Sequence, residues 1–208
     1  EQQSGRGSEV SSLSESVAGG ERSVEDQVLD AARSCILEYG VRRTTLAEIA
    51  RRAQVSRPTV YRRWSDTRAV VSSLLTREIG SVMPPLSAEV PARRLLAGVA
   101  GVVGNRVRTH PLFVKILRSD ADILATYILH RLGTSQSLII DALIPIIIRG
   151  QQDSSIRDGN PVHLATVALL MVQSAVQSAN MVEGRISGDE LIAEIAYAVD
   201  VYLRPDPS

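Results

Sequence analysis

The sequence predicts an all-α fold, a small N-terminal helical module followed by a larger helical body, and three observations point to it. Apolar residues recur at three- and four-residue spacing through most of the 208 residues. Hydrophobic residues make up 44% of the chain and aromatics only 3%, so the core is built from Leu, Ile, Val and Ala, which suits packed helices better than a sandwich. Ser, Thr, Asp, Gly and Pro fall at the ends of the periodic runs, where helices start and stop.

Residues 1–22 are rich in Ser, Gly and Glu and carry too little apolar surface to offset ordering, which predicts a flexible tail. From Ser23 the stripe Val24, Val28, Leu29, Ala32, Cys35, Ile36 and Tyr39 forms a first amphipathic helix that Gly40 stops. Thr44 or Thr45 caps a short helix through Ala53, and Gln54-Val55-Ser56 turns the chain. Ser56 opens a third helix that tolerates Pro58 in its first turn and ends near Trp64. Ser65 or Asp66 caps a fourth, running to about Ser81 before Pro84-Pro85.

Further helices are expected from about Pro91 to Thr109, Pro111 to Arg118, Ala121 to Leu132 and Thr134 to Arg149, the last kinked by Pro145. Gly150 to Pro161 reads as a loop before a helix from Val162 to about Glu183. Ser187 or Asp189 caps a final helix striped by Leu191, Ile192, Ile195, Val199, Tyr202 and Leu203. Residues 23–68 form the first module and 69–205 the body.

Net charge is zero, yet the charge is unevenly placed. Between Arg42 and Arg68 eight arginines face only Glu48 and Asp66, so a basic module sits on a net acidic body. The single cysteine, Cys35, excludes an internal disulfide, and its place on the apolar stripe makes it a core thiol. His110, His130 and His163 lack ligand spacing, so no metal site is expected. There is no nucleophile–base pair, phosphate loop or cofactor motif, which argues against an enzyme. The most apolar run, Leu138 to Ile148, is short and holds Asp141 and Pro145, so a cytoplasmic location is expected.

The tract TTLAEIARRAQVSRPTVYRRW, Thr44 to Trp64, has the mechanics of a helix-turn-helix. Two short helices are joined by three residues and held by Leu46, Ile49, Ala53, Val55, Val60 and Trp64, with Ala50 small enough for a close crossing. The outward face of the second helix carries Arg57, Thr59, Tyr61, Arg62 and Arg63, a surface suited to the major groove and its phosphates.

From Ser23 to about Leu75 the chain resembles the N-terminal domain of the TetR family of bacterial regulators, through VLDAARSCILEYG, TTLAEIARRAQVS, RPTVYRRW and SDTRAVVSSLL in that order. The resemblance implies a DNA-binding transcriptional regulator, a repressor that binds a palindromic operator as a homodimer and is released by a small molecule. It also implies that Ser56, Arg57, Pro58 and Thr59 meet base edges or nearby phosphates, with Arg57 leading the readout because Arg pairs bidentately with guanine. Tyr61, Arg62 and Arg63 would contact phosphates, with Arg62 also able to reach a base, and Thr45 would reach a phosphate from the start of its helix. Two positions depart from the family pattern. Gln54 replaces a turn glycine, and Thr67 stands in place of a phosphate-gripping lysine, a contact left either to Thr67 or to the adjacent Arg68 unless its side chain points away.

The resemblance further places an effector in the body, in a lining drawn from helices between Leu95 and Ile148 with Phe113 and Tyr127 its few aromatics. That composition favours an aliphatic molecule. Arg106, Arg118, Gln136 and Asp141 either orient it or, as the more ordinary reading has it, lie at the surface or in pairs, so no ligand residue is assigned, and Gly98, Gly101 and Gly104 leave room for a ligand or for close helix packing. The last two helices are the natural dimer surface. The alternative is a DNA-localised adaptor or architectural protein acting through protein contacts without ligand control.

Overall fold

The computed structural model describes residues 23–87, 89–120 and 134–206; the expected tail and the segment from Ala121 to Leu132 fall outside these. Helix α1 (Val24–Tyr39) opens at Ser23, whose hydroxyl accepts from the Asp26 amide, and stops at Gly40, with φ at 82°. Thr45 caps α2 (Leu46–Ala53). Thr44 is instead buried and donates its hydroxyl to the Gly40 carbonyl at 2.8 Å. Ser56 caps α3 (Arg57–Arg63), and Asp66 caps α4 (Thr67–Val82).

These helices enclose one core of Val28, Leu29, Ile36, Leu46, Ile49, Val60, Trp64 and Leu74, with Cys35 fully buried among them. Each large aliphatic group taken wholly out of water contributes about 1.5–3 kcal/mol, so this small head is held chiefly by its interior. Burial raises the Cys35 thiol's pKa, keeping it protonated and unreactive.

Helix α5 (Ala92–Thr109) meets α6 (Pro111–Ser119) at the His110 corner, and α7 (Thr134–Gln152), α8 (Pro161–Val182) and α9 (Gly188–Leu203) complete the described body. No strand occurs among the described residues. Helix α7 runs three residues past the expected Arg149. Gly150 is therefore helical, and a side chain there would strike Ile156. The chain folds back over this glycine, the Ile156 amide donating to the Gly150 carbonyl at 2.9 Å.

Ala92, Leu96, Ile147, Leu164, Ala165, Val199 and Leu203 centre the second core. Among the three spaced glycines of α5, Gly101 and Gly104 face Ala196 and Ile192 of α9, so they serve close packing, whereas Gly98 meets nothing within 4 Å. Ser187 forms a capping box with Glu190, which settles the start of α9. By length and composition alone α8 is apolar enough to cross a membrane, with a mean hydropathy of 1.4. In this fold it packs against α5, α7 and α9.

Candidate nucleic-acid interface

The head's arginines divide into two sets. Arg51 makes a bidentate pair with Glu48, at 2.8 and 2.6 Å, and Arg52 pairs with Glu38 at 2.8 Å while lying over the Tyr39 ring. These pairs hold both carboxyls below their usual range, Glu48 through Arg51 and Glu38 through the Tyr39 hydroxyl and then Arg52. Arg63, at the end of α3, is bound by Glu25 in the first turn of α1 and stacks on Trp64. Each of these cations braces one helix against itself or a neighbour.

Arg57, Arg62 and Arg68 are exposed. None of the three has a recorded side-chain bond among the described residues. Arg57 and Arg62 stand on the outer face of α3 beside Tyr61, which is half exposed. Ser56 and Thr59 share a hydroxyl–hydroxyl bond of 2.7 Å at the start of this helix, and Pro58 occupies its first turn. Thr45 lies at the start of α2 with its hydroxyl accepting from the Glu48 amide. Thr67 begins α4 and is half-buried, with Arg68 beside it pointing to solvent. Gln54 is left-handed, φ 56° and ψ 32°, so the turn takes the conformation a glycine would favour at a cost of about 1 kcal/mol.

Beneath this surface lie two buried carboxylates that sequence patterns did not single out. Asp120, just past α6, accepts from the amides of Val41 at 2.9 Å and Arg42 at 3.3 Å, pinning the turn between α1 and α2. Gly40 makes room for it, since a Cβ there would lie 2.9 Å from the Asp120 carboxylate. Glu78 of α4 takes Arg33 at 3.5 Å, Arg77 at 3.3 Å and His110 at 3.2 Å, joining α1, α4 and the α5–α6 corner. The only signal available for Glu78 was an acidic residue on an otherwise apolar face of α4, and Asp120, past the end of its helix, carried none.

Two helices belong to both halves. Val70, Val71 and Leu74 of α4 enter the head's core, as do Leu112 and Ile116 of α6. The other faces of the same helices, Ser72, Leu75 and Ile79 and then Phe113 and Leu117, line a cavity in the body of about 980 Å³, including space open to solvent. The lining thus reaches outside the expected span, because α4 and α8 both contribute to it. Of the polar groups named from sequence, Gln136 lines the cavity, while Arg106 donates to the Val82 carbonyl and Asp141 faces outward. Arg118 borders a separate cleft with Arg108 and Asn180.

Residues 28–74 match the family model of the bacterial regulatory proteins of the tetR family. Over 177 residues, 85% of this chain and 93% of the relative, the sequence is 41% identical to an uncharacterised HTH-type transcriptional regulator of Mycobacterium tuberculosis. The chain belongs to the TetR family. This membership makes it a helix-turn-helix transcriptional regulator rather than an enzyme. Among solved structures, a TetR-family regulator from Rhodococcus sp. superposes with a TM-score of 0.66 at 17% identity, covering 86% of this chain and 98% of that one. FadR from Bacillus subtilis, solved in complex with stearoyl-CoA, gives 0.56 at 18% identity, over 85% and 96%. At such identities these two likenesses concern the fold alone.

Proposed function

We propose that this TetR-family regulator is a cytoplasmic homodimeric repressor that binds a palindromic operator through α3 and leaves it when a small molecule fills the cavity between α4, α5, α6, α7 and α8. The observation that carries the reading is the sorting of the arginines. With Arg51, Arg52 and Arg63 engaged by carboxylates, Arg42 facing Asp120 and Arg43 donating to the Tyr39 carbonyl, Arg57, Arg62 and Arg68 remain for DNA, the first two on one exposed helix face. Ser56, Arg57, Pro58 and Thr59 read base edges or grip adjacent phosphates, Tyr61 and Arg62 hold the backbone, and Thr45, Thr67 and Arg68 anchor the flanks. Arg63 joins them only when Glu25 releases it.

Dimerisation is supported by the apolar groups that the last two described helices leave uncovered. Val162, Val167, Leu170 and Met181 of α8, with Tyr197 and Val201 of α9, are exposed; Met181 is 84% and Tyr197 63% accessible. Two copies related by a two-fold axis match a palindromic operator, whose successive major grooves lie about 34–36 Å apart, one helical turn of DNA. Release follows from the two-faced helices, since a ligand pressing on Leu75, Ile79, Phe113 and Leu117 displaces the same elements that support the head. The stearoyl-CoA complex of the Bacillus subtilis FadR supports an aliphatic effector in such a cavity.

Binding-site selection from random DNA tests the reading. It is expected to return a palindrome whose recognition is lost in the Arg57→Ala/Thr59→Ala double variant while size-exclusion chromatography still shows a dimer. Undiminished selectivity in that variant overturns the assignment of α3 as the reading helix.

A further inference from the structure

The cavity has a direction. At one end Gln136 from the first turn of α7 meets Gln173 and Gln177, four residues apart on one face of α8, beside Ser72 and Ser135. Next to it, a second lobe of about 540 Å³, including space open to solvent, is lined by aliphatic side chains such as Leu96, Ala100, Leu143 and Ile147. The two lobes share Val103, Ile139, Leu169 and Val172 as a waist. From the first lobe to the second, α7 presents Gln136, then Ile139, then Ile147, and α5 runs alongside from Val107 through Val103 to Leu96. Eleven residues of helix span about 16 Å, so the two lobes together accommodate an extended alkyl tail.

No Asp, Glu, Lys, Arg or His occurs among the described residues lining either lobe. A charged head group placed among the glutamines therefore finds no counter-ion among the described residues, and without one it gives up its hydration unrepaid. A carboxamide, in contrast, both donates and accepts, which suits a hydroxyl, ester or amide. The Gln136 amide donates to the Gln173 carbonyl oxygen at 3.4 Å, a long bond that leaves donors and acceptors on both residues for a ligand.

We infer that the cavity takes an uncharged amphiphile, its neutral hydrogen-bonding head between Gln136, Gln173 and Gln177 and its aliphatic tail threaded past the waist into the second lobe. This inference rests on the reading of the cavity as the effector site. It narrows that site's ligands from aliphatic molecules in general to those without a charge at the head.

The test is calorimetric titration of the full chain with octan-1-ol, decan-1-ol, decanamide, decanoate and decyltrimethylammonium. The neutral decyl compounds are expected to bind, decan-1-ol about fourfold tighter than octan-1-ol for each added methylene. Decanoate and the ammonium compound are expected to bind at least about tenfold more weakly. Gln173→Leu should weaken decan-1-ol while the gain per methylene persists, and Ala100→Leu should erase that gain while octan-1-ol still binds. Should Ala100→Leu fail to fold, the chain-length series on the native protein carries the same test. Equal or better binding of the charged compounds overturns the uncharged head and leaves the effector reading standing. Silence from all five overturns both.

Discussion

The head and the body of this regulator solve the same packing problem in opposite ways. The head closes α1 to α4 and one face of α6 around a filled core, in which Val28, Ile36, Ile49, Val60 and Leu74 have no exposure at all, and puts its chemistry outside. The body stacks longer helices whose inner faces stop short of one another, leaving two joined lobes inside. A filled core fixes one arrangement of surface groups, which DNA recognition requires. A cored-out bundle keeps slack, and its walls can shift when something occupies them.

That contrast breaks first on matched truncations. Leu74→Ala, in the filled head, is expected to cost about 4 kcal/mol by urea denaturation, whereas Leu169→Ala, on the waist between the lobes, should cost about 2 kcal/mol because fewer neighbours are lost. Equal losses would mean that the body is packed as tightly as the head. Next, Asp120→Ala leaves the Val41 and Arg42 amides without their acceptor and should destabilise the head by about 3 kcal/mol. The same variant should release DNA from the ligand-free protein, read by fluorescence anisotropy, if the pinning matters to function.

Smaller effects sharpen the division among the surface charges. Arg57→Ala should weaken operator binding by about 2 kcal/mol, and Arg51→Ala, which loses only an intrahelical pair with Glu48, should leave it nearly unchanged. Arg68→Ala should lower the slope of log affinity against log salt by about 1 if Arg68 has taken over from Thr67 as the phosphate anchor. The smallest change expected is in Gln54→Gly, which relieves the left-handed strain and should raise stability by about 0.5–1 kcal/mol, measured as a shift in urea midpoint.

The head was legible because everything that builds it lies close together in the sequence. Caps at Ser23, Thr45, Ser56 and Asp66 mark its helices, and the apolar stripe names its core. Composition did not reveal which arginines are engaged, since Glu25 and Arg63 lie 38 residues apart and meet only once α1 and α3 are packed. The body was less legible for the same reason carried further. Its helices could be counted, but the cavity is assembled from α4 through α8, and no local pattern tells an apolar face that touches a neighbour from one that borders a void. Gln173 and Gln177 looked like ordinary polar positions on the penultimate helix. Their direction follows from how α8 rotates to bury Ala165 and Ala168.

The amides of Val41 and Arg42 belong to no helix, yet a carboxylate from the far end of α6, 79 residues from Val41, holds their protons. Their hydrogen exchange with solvent is thus a built-in gauge of the seam between α1 and α6. Slow exchange reports a closed seam and faster exchange an opening one, without any label attached to the protein. Followed as ligand is added, these two protons separate a signal that passes through α6 from one that passes through α4 alone.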